Sequence, residues 1–350
     1  VFVAHFSATT MPVAPIDQLV RDARDAFEAG VQAVHPTALM AQGGSHAGQR
    51  YIEDADCVRV ATIGKAAVPW GDWWAARGIA KSGLIVAPAG YGTADRNALP
   101  DGWHQVEAGH PHPTKESAQA GRRLLEMAER CGPDDVLMVG LSGGGSACTA
   151  YPPAPISMAA VRRLNELLLH SGLPIGAVNA VRKHVLRVGG GRLAAAAHPG
   201  RVWCQAISDV PGDDLSTIAS GPTVGDPTTY ADAIAALHKA AVWDDVPRVV
   251  RTHLQEGARG RHPESTALGD DRLRHAHTAV IASNNDAQTA SASHLADIGY
   301  AVHVADTLME GEARAVGCAH AEQLLDADAG TAWVWGGEPT VHVTGSGTGG

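Results

Sequence analysis

Val136-Leu137-Met138-Val139-Gly140-Leu141-Ser142-Gly143-Gly144-Gly145-Ser146-Ala147 is an apolar run that passes without a break into three glycines and a serine. This order of residue types predicts a buried strand that hands the backbone to a tight turn and then to a helix. Glycines let successive N–H groups face one point, and the start of a helix adds its positive end to the same point. A phosphate suits such a place, which makes Ser142, Gly143, Gly144, Gly145 and Ser146 candidate nucleotide-binding residues. A strand-to-helix turn with no ligand has the same local sequence, so the choice rests on the rest of the chain.

Further apolar runs lie at Val58–Ile63, Leu84–Ala87, Val202–Ile207, Ala279–Ala282, Ala301–Val304, Ala332–Trp335 and Val341–Thr344. Most are continuous rather than alternating, the pattern of strands buried on both faces of a parallel sheet. Helical periodicity separates them at Asp17–Val34, Lys115–Arg130, Ser157–His170, Asn285–Asp297 and Glu312–Leu325. In the third of these, Met158, Val161, Leu164, Leu167 and Leu168 share one face, and Gly172 follows as a C-terminal cap. Strand and helix in alternation predict an α/β fold with parallel sheets. Arg248–His275 carries charge, Gly and Pro with little periodicity, so the domain boundary is expected there, between a first domain over 15–250 and a second over 276–350.

With 350 residues, 45% of them apolar, the chain can bury a real core. A formal charge of −10 argues against nucleic acid or an anionic membrane as a partner, since both need a basic face. Five cysteines without a C-x-x-C pair read as free thiols in a reducing compartment. No apolar run approaches the roughly 20 residues of a membrane helix, and the expected location is the cytoplasm. Val1–Thr10, ahead of Met11, match nothing and read as leader, mis-assigned start or tag.

Four blocks add company to the glycine loop: Asn179-Ala180-Val181-Arg182-Lys183-His184, Gly189-Gly190-Gly191-Arg192-Leu193-Ala194, Ile207-Ser208-Asp209-Val210-Pro211-Gly212-Asp213-Asp214 and Ile218-Ala219-Ser220-Gly221-Pro222-Thr223. In order and spacing they resemble the glycerate 2-kinases of the MOFRL type, and Gly64-Lys65-Ala66-Ala67, Gly109-His110-Pro111 and Gly336-Gly337-Glu338 look like further landmarks of that family. The resemblance implies phosphorylation of the 2-hydroxyl of D-glycerate by ATP with Mg²⁺. It also implies a larger Rossmann-like N-terminal domain, a smaller α/β C-terminal domain incomplete at its end, and an active site in the cleft between them.

Each role in phosphoryl transfer has a candidate. Lys65 follows an apolar strand directly, and the resemblance makes it catalytic. A guanidinium presents two parallel donors, so Arg182 is the candidate grip on the substrate carboxylate, with a structural ion pair as the equal alternative. Asp209 and Asp213, near a Pro-Gly turn, suit Mg²⁺, and Asp209 could instead orient or deprotonate the hydroxyl; Asp214 reads as a helix cap. His110, Lys183, His184 and Glu338 complete the substrate-loop candidates, His184 more as a support than as a proton shuttle. His110 with His112, and His275 with His277, lack partners at ligand spacing and are not read as zinc sites.

The chain departs from the family pattern at Ile63, where a glycine is usual, and at Leu186 and Gly189, where Ser and Lys are usual. The family also continues past Gly350 with an active-site arginine, which the sequence as given is expected to lack. Two rival readings follow: an inactive or truncated homologue that binds nucleotide only, and a hydroxypyruvate reductase. The reductase would have to use Gly345, Gly347 and Gly350 as its dinucleotide fingerprint, with no helix or acidic residue after them.

Overall fold

A computed structural model of the chain describes residues 3–7, 15–42, 46–92 and 99–341. Its strands are β1 (Val3–Ser7), β2 (Cys57–Ile63), β3 (Ser82–Pro88), β4 (Trp103–Ala108), β5 (Asp135–Leu141), β6 (Arg201–Ile207), β7 (Ala276–Ala282), β8 (Ala301–Val304) and β9 (Thr331–Trp335). Six of them form one sheet in the order β4-β3-β2-β5-β6-β7. β2 pairs in parallel with both β3 and β5, β3 with β4, and β5 with β6. The chain thus enters mid-sheet, moves outward to β4, and returns to the far side of β2. This is the doubly wound Rossmann order, and its switch point lies between β2 and β5.

The continuous apolar runs are explained by two-sided burial. On β5, Leu137, Val139 and Leu141 face one core with Leu124 and Leu193, while Val136 and Met138 face another with Trp70, Trp74 and Trp203. β3 divides in the same way, Leu84 and Val86 to the first core and Ile85 and Ala87 to the second. Alternate residues of a strand point to opposite faces, so a strand covered on both sides must be apolar throughout. β4 is the exception: at the sheet edge Trp103, Val106 and Ala108 are buried while His104, Gln105 and Glu107 are exposed or partly so, a pattern without the continuous run that marks the others.

A third core lies among helices. Val161, Leu164 and Leu168 meet Val178, Val181 and Val185, together with Tyr230, Leu237, Val250 and Leu254. The segment expected as a domain boundary therefore begins with the helix Arg248–Ala258, whose Val250 and Leu254, one turn apart, are fully buried. Most of its polar residues lie on the outer face, His253 excepted, whose Nε2 lies 3.0 Å from the His184 carbonyl oxygen.

Residues 40–281 form one compact unit, and residues 1–39 together with 282–350 form the other. The division differs from a linear split into 15–250 and 276–350. In the smaller unit β9 lies between β1, antiparallel, and β8, parallel. The helix Ile16–Ala33 packs on the helix Asn284–Asp297, where Ser291 Oγ donates to the Ala26 carbonyl at 2.8 Å. Ala26, Leu295, Ala332 and Val334 make its core. Val341 belongs to no strand, and the remainder of the run expected at Val341–Thr344 lies outside the described residues, as does Gly345–Gly350. No helix among the described residues is long and apolar enough to cross a membrane.

Candidate active site

Because β2 to β6 run in parallel, their carboxyl ends deliver Lys65, His110, the triple-glycine loop and Asp209 to one edge of the sheet. The loops after β2 and β5 are stitched together. Ser142 N–H donates to the Ile63 carbonyl at 2.9 Å, and Lys65 N–H to the Gly143 carbonyl at 2.9 Å. The Ser142 hydroxyl donates to the Ile63 carbonyl at 3.1 Å and accepts from Ala66 N–H at 3.0 Å. Gly64 makes the approach possible: its φ is +107°, and a Cβ there would overlap the Ser142 carbonyl oxygen. Ser142 is 3% exposed and its hydroxyl is committed, so it is a stitch between loops and not a phosphate ligand. The Lys65 side chain remains exposed beside this seam. Burial pushes the Cys148 thiol up to about 12, with the Lys65 ammonium acting in the opposite direction.

The glycine loop divides its polar groups by type. Its carbonyls are occupied: Gly143 accepts from Lys65, Gly144 from Cys148 at 3.3 Å and Gly145 from Thr149 at 3.1 Å. The N–H groups of Gly143, Gly144, Gly145 and Ser146 donate no backbone hydrogen bond among the described residues. The helix expected beyond them is a single turn, Gly145–Cys148, so consecutive amides rather than a long helix supply the positive character. His110 and Asp209 flank this row. A Cβ on Gly144, whose φ is +85°, would stand 2.9 Å from His110 Cδ2, and one on Gly143 would overlap the Asp209 carboxylate.

Arg182, on the helix Ile175–Val185, donates from Nη2 to Asn165 Oδ1 at 2.8 Å. Burial pulls its pKa down, and no carboxylate acts against that. The ion-pair alternative is thereby removed among the described residues. Ser146 lines a cavity beside the guanidinium with Asn165, Val161, Leu164 and Leu186. Ser146 Oγ lies 2.7 Å from Ser220 Oγ, and Ser220 Oγ also donates to Asn179 Oδ1 at 3.1 Å. Ala219, Ser220 and Gly221 are three successive left-handed residues, with φ of 49°, 61° and 56°. They are held there by Gly190 and Gly191, whose N–H groups donate to the Ser220 and Gly221 carbonyls at 2.8 Å each. The second glycine cluster thus supports the Ser220 turn.

The family described as "Domain of unknown function (DUF4147)" matches residues 22–255. The chain belongs to this family. Among similar proteins, a glycerate 2-kinase of Pyrococcus horikoshii is 36% identical over 274 residues, which is 76% of this chain and 60% of that one. A putative hydroxypyruvate reductase of Agrobacterium vitis is 37% identical over 237 residues, 67% of this chain and 50% of that one. The chain thus spans about half to three-fifths of the length of these curated relatives. The crystal structure of a glycerate kinase from Thermotoga maritima superposes with a TM-score of 0.76 at 26% identity, covering 95% of this chain and 77% of that one.

Within this member of the DUF4147 family, several expected site residues serve the scaffold instead. Lys183 Nζ donates to Asp226 Oδ1 at 3.1 Å, with both side chains buried. It is not a substrate-loop cation, because a single ammonium on a helix interior is already matched. His184 is fully buried, Nδ1 2.7 Å from the Ala180 carbonyl and Nε2 3.0 Å from Glu264 Oε2, which makes it a support. Arg192 Nη1 donates to the carbonyls of Lys183 and Gly189, closing the end of the preceding helix. Asp213 is exposed at φ 55°. Asp214 accepts from Ser216 N–H at 2.9 Å and from Thr217 Oγ1 at 2.7 Å, closing a turn ahead of the 3-10 helix Ile218–Ser220 rather than capping it, since Thr217 holds the N-cap position there. Glu338 is exposed on the smaller unit. Asn165, Asn179 and Ser220 were not legible as site residues, although an asparagine on the apolar stripe of Val161, Leu164 and Leu168 is a signal of a buried polar contact.

Proposed function

We propose that this chain carries the nucleotide and substrate machinery of a glycerate 2-kinase, which moves the γ-phosphoryl group of ATP to the 2-hydroxyl of D-glycerate. The observation that carries this reading is the row of N–H groups from Gly143 to Ser146, directed to no backbone acceptor, at the switch point of the sheet and beside an exposed lysine. In the reaction the 2-hydroxyl oxygen bonds to the γ-phosphorus, the bond to the β,γ-bridging oxygen breaks, and the hydroxyl proton passes to a carboxylate, for which Asp209 is the candidate. Lys65 takes up charge on the transferring oxygens. In the alternative role for Asp209, it and Asp213 are the acids that would hold Mg²⁺, which neutralises nucleotide phosphate charge when bound. Two exposed carboxylates, with phosphate oxygens and water for the remainder, fit the coordination habit of that ion. Five free thiols accord with the cytoplasm.

A nicotinamide enzyme would carry its glycine fingerprint in the turn after β2. That turn reads Gly64-Lys65-Ala66-Ala67, with a lysine and no G-x-G-x-x-G, which favours the kinase over the reductase. An ADP-release assay with D-glycerate, set beside NADH oxidation with hydroxypyruvate, decides between them: NADH turnover without ADP release would reverse the assignment.

Two substitutions test the site. Gly144→Val puts a branched side chain at a positive φ and against His110, so ATP affinity by calorimetry should fall at least ~10-fold with the fold retained; an unchanged affinity removes the loop from the phosphate site. Arg182→Lys keeps the charge and loses the fork, so D-glycerate should bind at least ~10-fold more weakly while ATP binds as before. Phosphorylation of glycerol as readily as glycerate by the wild type would show that no carboxylate clamp operates.

A further inference from the structure

The contacts of Arg182 raise the question of what holds a buried guanidinium in place without neutralising it. Asn165 is 5% exposed on the helix Met158–Leu169. Its Oδ1 accepts from Arg182 Nη2 at 2.8 Å, and its Nδ2 donates to the Pro111 carbonyl at 3.1 Å. The side chain therefore bridges the helix that bears Arg182 and the loop that bears His110. A primary amide can accept and donate at the same time through two atoms fixed in one plane, and it carries no charge.

That neutrality has a consequence. A carboxylate at the same place would form an ion pair with the guanidinium and satisfy it internally. The amide fixes one donor of the fork and leaves the positive charge unmatched, facing a cavity that Ser146, Leu164 and Leu186 also line. A desolvated cation with no counter-ion among the described residues attracts an anionic ligand strongly.

We propose that Asn165 is a positioning residue for the substrate carboxylate, acting through Arg182. It aims the guanidinium, couples that aim to the Pro111 loop, and keeps the cation available by remaining uncharged. The inference rests on the reading of Arg182 as the carboxylate clamp.

The test is calorimetric titration of D-glycerate and, separately, of ATP into the whole chain, with thermal unfolding of each variant. Asn165→Asp preserves size but supplies the counter-ion and loses the donor to Pro111. It should weaken D-glycerate at least ~10-fold and leave ATP within ~2-fold, because the competition is confined to one charge. A role in packing alone would lower the melting temperature and both affinities together, and that outcome overturns the proposal. Should Asn165→Asp not fold, Asn165→Ala removes the tether without adding charge and should still weaken D-glycerate ~3- to 10-fold with ATP unaffected; equal affinities for both ligands overturn the proposal. Glycerate binding that is lost in Arg182→Lys but intact in Asn165→Asp sinks the role of Asn165 and leaves the clamp standing. Glycerate binding that is indifferent to Arg182→Lys sinks the clamp, and the role of Asn165 with it.

Discussion

Replacing Lys65 by Ala is expected to lower kcat for D-glycerate phosphorylation at least ~100-fold, as does removal of one preorganised electrostatic donor in other active sites. The loop itself should survive the change. What fixes it is the Lys65 N–H on the Gly143 carbonyl and the Ala66 N–H on the Ser142 hydroxyl, and alanine retains the first of these while leaving the second untouched. Only the exposed ammonium beside the row of glycine amides is lost. Steady-state rates with both substrates saturating, together with thermal unfolding, separate the two contributions. An increase in KM at constant kcat would move Lys65 from charge stabilisation to simple binding.

The second large effect concerns stability. Lys183→Met leaves Asp226, whose side chain is fully buried, without its cation, and the loss should be about 3–5 kcal/mol in urea unfolding. Adding Asp226→Leu to Lys183→Met removes the stranded charge and should restore part of the loss, the remainder reflecting the Thr228 N–H and hydroxyl, which lose their acceptor. The pH dependence follows. Burial raises the Asp226 carboxyl, but the Thr228 N–H and hydroxyl and the Lys183 ammonium outweigh it and hold the pKa below the ordinary carboxylate range. A depressed folded-state pKa contributes stability above the unfolded value of about 3.9, and this is lost as pH falls through the lowered pKa. Without Lys183 the folded pKa moves up and this acid-dependent loss shrinks, so the stability gap between Lys183→Met and wild type should narrow as pH falls through the carboxylate range. A variant within ~0.5 kcal/mol of wild type would show that the pair has no net effect on stability.

The parts of the fold that were legible are those where one residue type can satisfy only one environment. Val136–Leu141 is apolar at every position because both faces of β5 are covered, and Gly64 and Gly144 mark turns that a Cβ would block. β4 was not legible: at the sheet edge it is only half covered, and His104, Gln105 and Glu107 interrupt its apolar residues. The helix Arg248–Ala258 was read as a boundary because only one side of it, Val250 and Leu254, meets the core. β1 and the helix Ile16–Ala33 are local elements whose partners, β9 and the helix Asn284–Asp297, lie at the other end of the chain, a pairing that periodicity cannot register. In the candidate site, the positions of Lys65 and Asp209 at strand ends were legible from the apolar runs that precede them. Lys183 and His184 misled because a run of cations in sequence does not reveal which members turn inward, and on the helix Ile175–Val185 these two point to Asp226 and Glu264.

The smaller unit also imposes an order on synthesis. β1 ends at Ser7 and its partner strand β9 begins at Thr331, so more than three hundred residues must leave the ribosome before that pairing can form. At about 5–20 residues per second the delay is on the order of tens of seconds. Over that interval the segment 40–281 emerges and can begin to close its six-stranded sheet, while β1 and the helix after it have no native partner. β1 and the helix Ile16–Ala33 are therefore among the last parts of the fold that can dock, because their partners are made last.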